Sequence, residues 1–346
     1  MAAVSCWNKW LRPIMESRLP IDSICKITFS FKPASPLPTP LLCCNLKIIY
    51  RNAALCTFTF ILKQILVVFK YILSYIYAMP LLLNGVIVLE NKQLYSHLDR
   101  LALQTWPAKI TWELGSWLLR ASDGVTKRAN SVWTADGSLS WEADLVRMEE
   151  IESFYSSQGL PARFHLSDAS PEGLDAWLEA RGYAKEVPCD MMIAAASEVI
   201  DHTIDRRNEQ FRAEIVSTHK SGWLSDFIRL EGYSEELISF YDQLFSRIKP
   251  NAGYLRIMDG SECVAAGASV VQDGWAGFTS VIVHPQRRGL GLGQRIVHEL
   301  AIWSKQQNAE RLYLQVISDN EPAVKLYRKA GYERLFGYHY RSKALS

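Results

Sequence analysis

Gly289, Gly291 and Gly293 stand at alternate positions in the stretch Val281–Val297. They follow a run of strand-forming residues, Phe278 to Val283, that stops at Pro285. Glycines so spaced let backbone approach a ligand closely and take positive φ. They fall where the first N–H groups of a helix have no internal partner, so the turn is a ready anion site. Arg287 and Arg288 add positive charge beside it. The chemistry suited to such a turn is the grip of a diphosphate. A dinucleotide fingerprint is ruled out, because G-x-G-x-x-G counted from Gly289 reaches Gln294 and counted from Gly291 reaches Ile296. No Gly-Lys-Ser/Thr follows, which removes the nucleoside-triphosphate loop as well.

The elements that hold this turn are legible around it. After the glycines, Leu292, Ile296, Leu300 and Trp303 share one helical face, with Arg295, Glu299 and Lys305 off it. Arg311–Ile317 reads as a strand. A helix then starts at Asn320, with Pro322 in its first turn and Gly331 to stop it. Two spaced patterns result: Arg288-x-x-Gly291-x-Gly293 after a strand ending V-x-P, and Asn320-x-x-Ala323-x-x-Leu326-Tyr327-x-x-x-Gly331-Tyr332. In this order they resemble the two signatures of the GNAT superfamily of N-acetyltransferases.

The resemblance implies an α/β fold with a mixed sheet and helices on both faces. It implies acetyl-CoA as co-substrate and no metal. The backbone of Val281, Ile282 and Val283 would pair with the pantetheine arm like an added strand, and one N–H there would face the developing oxyanion. Arg288, Gly289, Leu290, Gly291, Leu292, Gly293 and Gln294 would hold the diphosphate. Asn320 would help fix the pantetheine and the start of the next helix, and Tyr327 would be the general acid at the sulfur. The expected reaction is acetyl transfer to a primary amine, on a small molecule or a protein, by direct attack. The alternative is a non-catalytic module that binds acetyl-CoA as a sensor.

Some family members carry a glutamate where Gln315 stands here, and a neutral amide cannot take a proton. Glu231 and Asp242 remain as candidate bases. His284 and His298 read as loop and helix-surface residues. Lys127 and Arg128 either line an acceptor cleft or belong to a solvated strand face.

Of 346 residues, enough for two domains, the net charge is +2. Residues 1–80 hold nine Lys or Arg against Glu16 and Asp22; the remaining chain, with 29 basic and 34 acidic residues, is mildly acidic. That balance does not suggest a nucleic-acid partner. Cys6, Cys25, Cys43, Cys44 and Cys56 lie in the first segment, leaving Cys189 and Cys263 without C-x-x-C spacing. Two lone cysteines point to a reducing compartment, the cytoplasm, and to no zinc site.

Residues 1–47 read as poorly structured, with a Pro-rich run from Lys32 to Pro40. Residues 48–89 are apolar, but Lys63 and Lys70 interrupt them, and a single span would carry the acetyltransferase away from acetyl-CoA. Membrane contact through them is therefore the less favoured expectation. Met79 precedes the globular sequence, so residues 1–78 read as an upstream extension, which the mass of the native N-terminus would test.

From residue 91, Leu94, Leu98 and Leu101 sit at helical spacing. Trp112–Arg120 and Val125–Trp133 read as strands on either side of a turn, and Trp141–Gln158 as a helix. The stretch Thr126–Ser131 resembles one found in certain bacterial GNAT proteins. An internal repeat comes next. Arg163–Leu166 and Pro171–Tyr183 echo Arg311–Leu314 and Pro322–Tyr332, at offsets of 148 and 149. The first copy lacks the glycines and has Leu178 at the place of Tyr327. Asp190–Ala196 would close it, and Ser197–Asn208 would link it to the second. The expected plan is an extension over 1–90, a degenerate GNAT-like domain over 91–200 and a catalytic one over 208–346.

Overall fold

The computed structural model describes residues 91–136, 141–204, 210–220 and 222–345. The chain divides into two compact units, Met1–Ala78 and Met79–Ser346, and every described residue belongs to the second. The expectations for residues 1–90, including the apolar stretch 48–89, lie outside the described residues. Among the described residues no helix is long and apolar enough to cross a membrane.

A helix through residues 91–105 (α1) precedes the hairpin Ile110–Leu114 (β1) and Trp117–Ala121 (β2). Then come Val132–Trp133 (β3), Leu145–Ser157 (α2), Ala162–Ser167 (β4), Leu174–Glu179 (α3), Ala184–Ala195 (β5) and Ala196–Thr203 (α4). The second half runs Arg212–Val216 (β6), Trp223–Glu231 (α5), Ile238–Ser246 (α6), Asn251–Asp259 (β7), Glu262–Gln272 (β8) and Trp275–Val283 (β9). It ends with Leu292–Gln306 (α7), Arg311–Ile317 (β10), Glu321–Lys329 (α8) and Glu333–Lys343 (β11).

The eleven strands among the described residues form one mixed sheet in the order β1-β2-β3-β4-β11-β5-β10-β9-β8-β7-β6. Among the described strands only β3–β4 and β9–β10 pair in parallel. The repeat maps element onto element: β4 onto β10, α3 onto α8 and β5 onto β11. Each copy's last strand is inserted into the other copy's part of the sheet. β11 lies between β4 and β5, and β5 lies between β11 and β10.

α7 buries Leu292, Ile296 and Leu300 in a core shared with Val199 of α4 and with Leu312 and Leu314 of β10. It can lie close because Gly267 on β8 has no side chain; a Cβ there would stand 2.7 Å from Ile296 Cγ2. On the opposite face, α5 and α6 pack an aromatic core of Trp223, Phe227, Phe245 and Tyr254. Trp223 is fully buried, and its indole N–H is shared by the carbonyls of Leu255 and Gly267 at 3.0 and 3.2 Å. Wrapping both faces is what lets β7, β8 and β9 read as near-continuous apolar runs.

Three sequence expectations change. Trp112–Arg120 is not one strand, because Gly115, at φ +61°, and Ser116 make a two-residue hairpin turn between β1 and β2. Val125–Trp133 is a turn and a short 3-10 helix, Lys127–Ala129, ahead of the two-residue β3. Ser197–Asn208 is not all linker, since Ala196–Thr203 is the helix α4, which buries Ala196, Val199 and Thr203. Residues 205–208 of that stretch lie outside the described residues.

A buried pair in the first half makes a pH prediction. His165 Nε2 lies 3.8 Å from Asp99 Oδ1, and Ser167 donates to Asp99 Oδ2 at 2.6 Å. Burial lifts the Asp99 carboxyl from 3.8 to about 7. Burial, with the charge of Arg120, pushes the His165 imidazole from 6.5 to about 3. At pH values between 3.8 and 6.5, the unfolded chain has the carboxylate ionised and the imidazole protonated, whereas the folded protein keeps both neutral. Their proton uptakes on folding cancel, and the pair adds no pH slope there. Asp99→Asn leaves the histidine alone, so stability relative to wild type should rise with pH by about 1.4 kcal/mol per unit. His165→Asn leaves the aspartate, and the sign reverses. Urea melts across this window check it, and slopes of equal sign in the two variants would refute the pairing.

Candidate active site

Strand β9 is bent where the chemistry would sit. Its register with β8 shifts between Ala266↔Ile282 and Ala268↔Thr279, and Ser280 at the bulge takes φ +54°. Its pairing with β10 extends only from Arg311↔Trp275 to Leu314↔Phe278. From Thr279 to Val283 the two parallel strands part, and a cleft of about 1020 Å³ opens between them. A bulge of this kind re-aims a strand and commonly stands beside a site. Val187, on β5 across the same cleft, also has left-handed backbone, at φ +47°. Such conformations cost of order 1–3 kcal/mol each and collect at functional sites.

The expected site residues converge on this cleft. Val281, Ile282, Val283, Arg288, Gly289, Gly291, Leu292, Gly293, Gln294, Asn320 and Tyr327 all line it. Leu290 does not; it is 47% exposed at the tip of the turn. Gly289 and Gly291 have φ of +81° and +80°. Gly291 is the N-cap of α7 and supplies no side chain to the first helical N–H groups. Gly293 has a different reason from the one expected: it lies inside α7, and a Cβ there would stand 3.0 Å from Leu326 of α8. Arg287 is spent on Asp259 at 2.9 Å, which leaves Arg288 as the exposed cation at the turn.

Asn320 accepts from the Ala323 N–H at 3.3 Å, so its Oδ1 caps α8. Tyr327 is 7% exposed, and among the described residues nothing hydrogen-bonds its hydroxyl. Burial pushes that phenol up to about 12, so it keeps its proton at neutral pH. The buried Ser280 hydroxyl is likewise without a partner among the described residues. An uncapped helix start, a glycine cradle, a strand edge released from β10 and an orphaned hydroxyl together suit an elongated diphosphate-bearing thioester such as acetyl-CoA.

Of the candidate bases, Glu231 at the end of α5 lines the cleft, half-buried with no ion pair among the described residues, and desolvation holds its pKa above the ordinary carboxylate range. Asp242 instead pairs with His219 at 2.8 Å, away from the cleft. His284 caps the Pro285–Arg287 turn. His298 bonds Thr203 at 2.9 Å in the α4–α7 interface rather than facing solvent.

Lys127 and Arg128 line the cleft on the 3-10 helix, not on a strand. Asn130 holds that segment in place: its Oδ1 accepts from the N–H groups of Ser122 and Gly124 at 2.6 and 3.2 Å. Its Nδ2 donates to the carbonyls of Ser122 and Thr126 at 3.1 and 2.7 Å. Asn130→Ala strands these buried groups and should cost about 2–3 kcal/mol, read as a lower urea midpoint. An unchanged midpoint would contradict that role. Trp106, Phe227, Tyr233 and Tyr241 complete the cleft wall. No sequence motif marks them, because Phe227 and Tyr241 come from α5 and α6 and Trp106 and Tyr233 from loops, without fixed spacing.

The mixed sheet, opened at a bulged strand beside a glycine turn at a helix start, is that of the GNAT N-acetyltransferases. Residues 96–342 match the family model described as "Probable histone acetyltransferase Rv0428c C-terminal", and the chain belongs to that family. It is 39% identical over 250 residues, 71% of this chain and 97% of the relative, to an uncharacterized N-acetyltransferase, YobR, of Bacillus subtilis (strain 168). A GCN5-related N-acetyltransferase from Kribbella flavida shares the fold, with a TM-score of 0.57 and 16% identity over 72% of this chain and 96% of that one. So does a functionally unknown conserved protein from Staphylococcus epidermidis ATCC 12228, with a TM-score of 0.51 and 12% identity over 68% and 94%.

Proposed function

We propose that this N-acetyltransferase moves the acetyl group of acetyl-CoA to a primary amine by direct attack, with the second half, 208–346, catalytic and the first, 91–200, a degenerate copy. The observation that carries the reading is the unbonded Tyr327 hydroxyl in the same cleft as the released edge of β9 and the uncapped start of α7.

Acetyl-CoA supplies an activated thioester. Arg288 and the N–H groups of Gly289 and of Gly291 to Gln294 hold its diphosphate, and Val281–Val283 pair with its pantetheine arm. One N–H there also faces the acetyl oxygen as charge grows on it. Asn320 braces the start of α8 beside that arm. Glu231 accepts the proton of the attacking amine, directly or through one water. Tyr327 delivers its phenolic proton to the departing sulfur. Leu178, the counterpart of Tyr327 in the first copy, is fully buried and has no proton to give. The need for acetyl-CoA places this work in the cytosol.

Release of free thiol from acetyl-CoA across a panel of amines tests the reading. Amine-dependent release is the expected result. Tight binding of acetyl-CoA with no release for any acceptor would replace it with a binding role.

A further inference from the structure

Arg128 and Glu231 both line the cleft without an ion pair among the described residues, and they lie beyond the part assigned to the coenzyme. Arg128 projects from the 3-10 helix into the space between the halves. Its main chain is fixed: its carbonyl accepts from the Arg120 guanidinium, and the flanking Thr126 and Asn130 cap and tie the segment. The guanidinium stacks over Trp106, 5.1 Å from the ring centre, and donates to Thr279 Oγ1 at 3.4 Å. That uses one of five N–H donors. No carboxylate among the described residues lies within the 4.0 Å of an ion pair, whereas the neighbouring Lys127 is neutralised by Glu186. A half-buried guanidinium fork with this much donor capacity is built for a planar or tetrahedral anion.

Its position separates it from the coenzyme's phosphates. Thr279 precedes the bulge at Ser280, while Val281–Val283 and the turn at 288–294 come after it. At about 3.3 Å per strand residue, Arg128 stands past the acetyl end of the cleft. The diphosphate is served by Arg288 at the other end.

Glu231 is the second unspent charge. It lines the same cleft as Arg128, Tyr233 and Tyr241, the two phenols stacked at 5.4 Å, yet the two charges form no ion pair with each other. An anion site and a proton-accepting carboxylate thus flank one aromatic wall with room between them.

On the reading that the cleft transfers acetyl groups to amines, we infer that the acceptor is a small amine that also carries an anionic group, a carboxylate or a phosphate, held by Arg128 while Glu231 faces the nitrogen. A lone guanidinium at this end disfavours a polycationic chain segment. The walls of Trp106, Phe227 and Tyr241 favour a compact molecule.

The test uses the full chain and acceptors in matched pairs: glycine and L-phenylalanine beside their carboxamides, and glucosamine 6-phosphate beside glucosamine. Thiol release yields kcat/KM, and calorimetry measures acceptor binding to the complex with a non-reactive thioether analogue of acetyl-CoA. The anionic member of at least one pair should be preferred about tenfold or more, the carboxylate and phosphate arms showing which anion is taken. Arg128→Gln should bring that ratio to about one without raising the KM for acetyl-CoA, and Arg128→Lys should recover part of it. Equal use of charged and uncharged members by the wild type overturns the inference. So does a preference that survives Arg128→Gln, or a KM for acetyl-CoA that rises in step. Should no pair release thiol, it is the transfer reading that fails. Calorimetry then decides the inference alone: anion-dependent binding lost in Arg128→Gln upholds it, and equal or absent binding of both members overturns it.

Discussion

Tyr327→Phe should lower kcat by about 10²–10⁴-fold, the usual range for loss of a general acid, while the Kd for acetyl-CoA stays put. The two effects separate because of where the side chain sits. Its ring packs edge-on to Tyr332 at 5.8 Å within the α7–α8 core, and phenylalanine preserves that contact. Only the hydroxyl is lost, and among the described residues it holds nothing together. Melting temperature should therefore change little. The loss should also depend on the leaving group, because a thiolate of lower pKa needs less protonation. Coenzyme analogues with better leaving thiols should narrow the gap between the two proteins. Unchanged turnover in the variant, or an equal loss with every thiol, would remove Tyr327 from the proton path.

Glu231→Gln should cost about 10²-fold or more in kcat/KM for the acceptor and should change the shape of the pH profile. In the wild type the carboxyl is protonated, and useless as a base, at low pH. Activity should rise as pH passes through a value above the ordinary glutamate 4.5, because burial disfavours the charged form. The glutamine variant should lack that limb and retain only the ionisation of the acceptor amine. Stability should move the opposite way. A carboxyl whose folded pKa is raised weakens the fold as pH climbs above its unfolded value, and the loss is complete once pH exceeds the folded one, so relative to wild type the neutral amide should gain melting temperature as pH rises above 4.5. A variant that is both less active and less stable would mark Glu231 as structural instead.

Local pattern was enough for the parts of the site that lie close together in the chain. The glycine turn, the strand before it and the helix after it span Phe278 to Trp303, and each comes from residue type and spacing within a turn or two. Tyr327 belongs to a helix whose start, Asn320, and stop, Gly331, are both written in sequence.

Other features depended on partners far away in the chain. Nothing in Arg128 indicates that it meets Thr279, 151 residues on. Glu231 reads as the last residue of a surface helix until α5 is laid against β9. Alternation along β5 and β11 requires sheet neighbours without saying which, so the exchange of end strands was invisible. The bulge at Ser280 has no glycine to signal it.

The amino-acid sequence by itself determined the fold family, the glycine turn at a helix start and the helix that carries Tyr327, since each rests on short-range backbone preferences and side-chain chemistry. Tertiary structure alone decided which charges in the cleft remain unpaired among the described residues. Whether a carboxylate or guanidinium is spent depends on what distant elements bring within about 4 Å, and that distance has no counterpart in residue order.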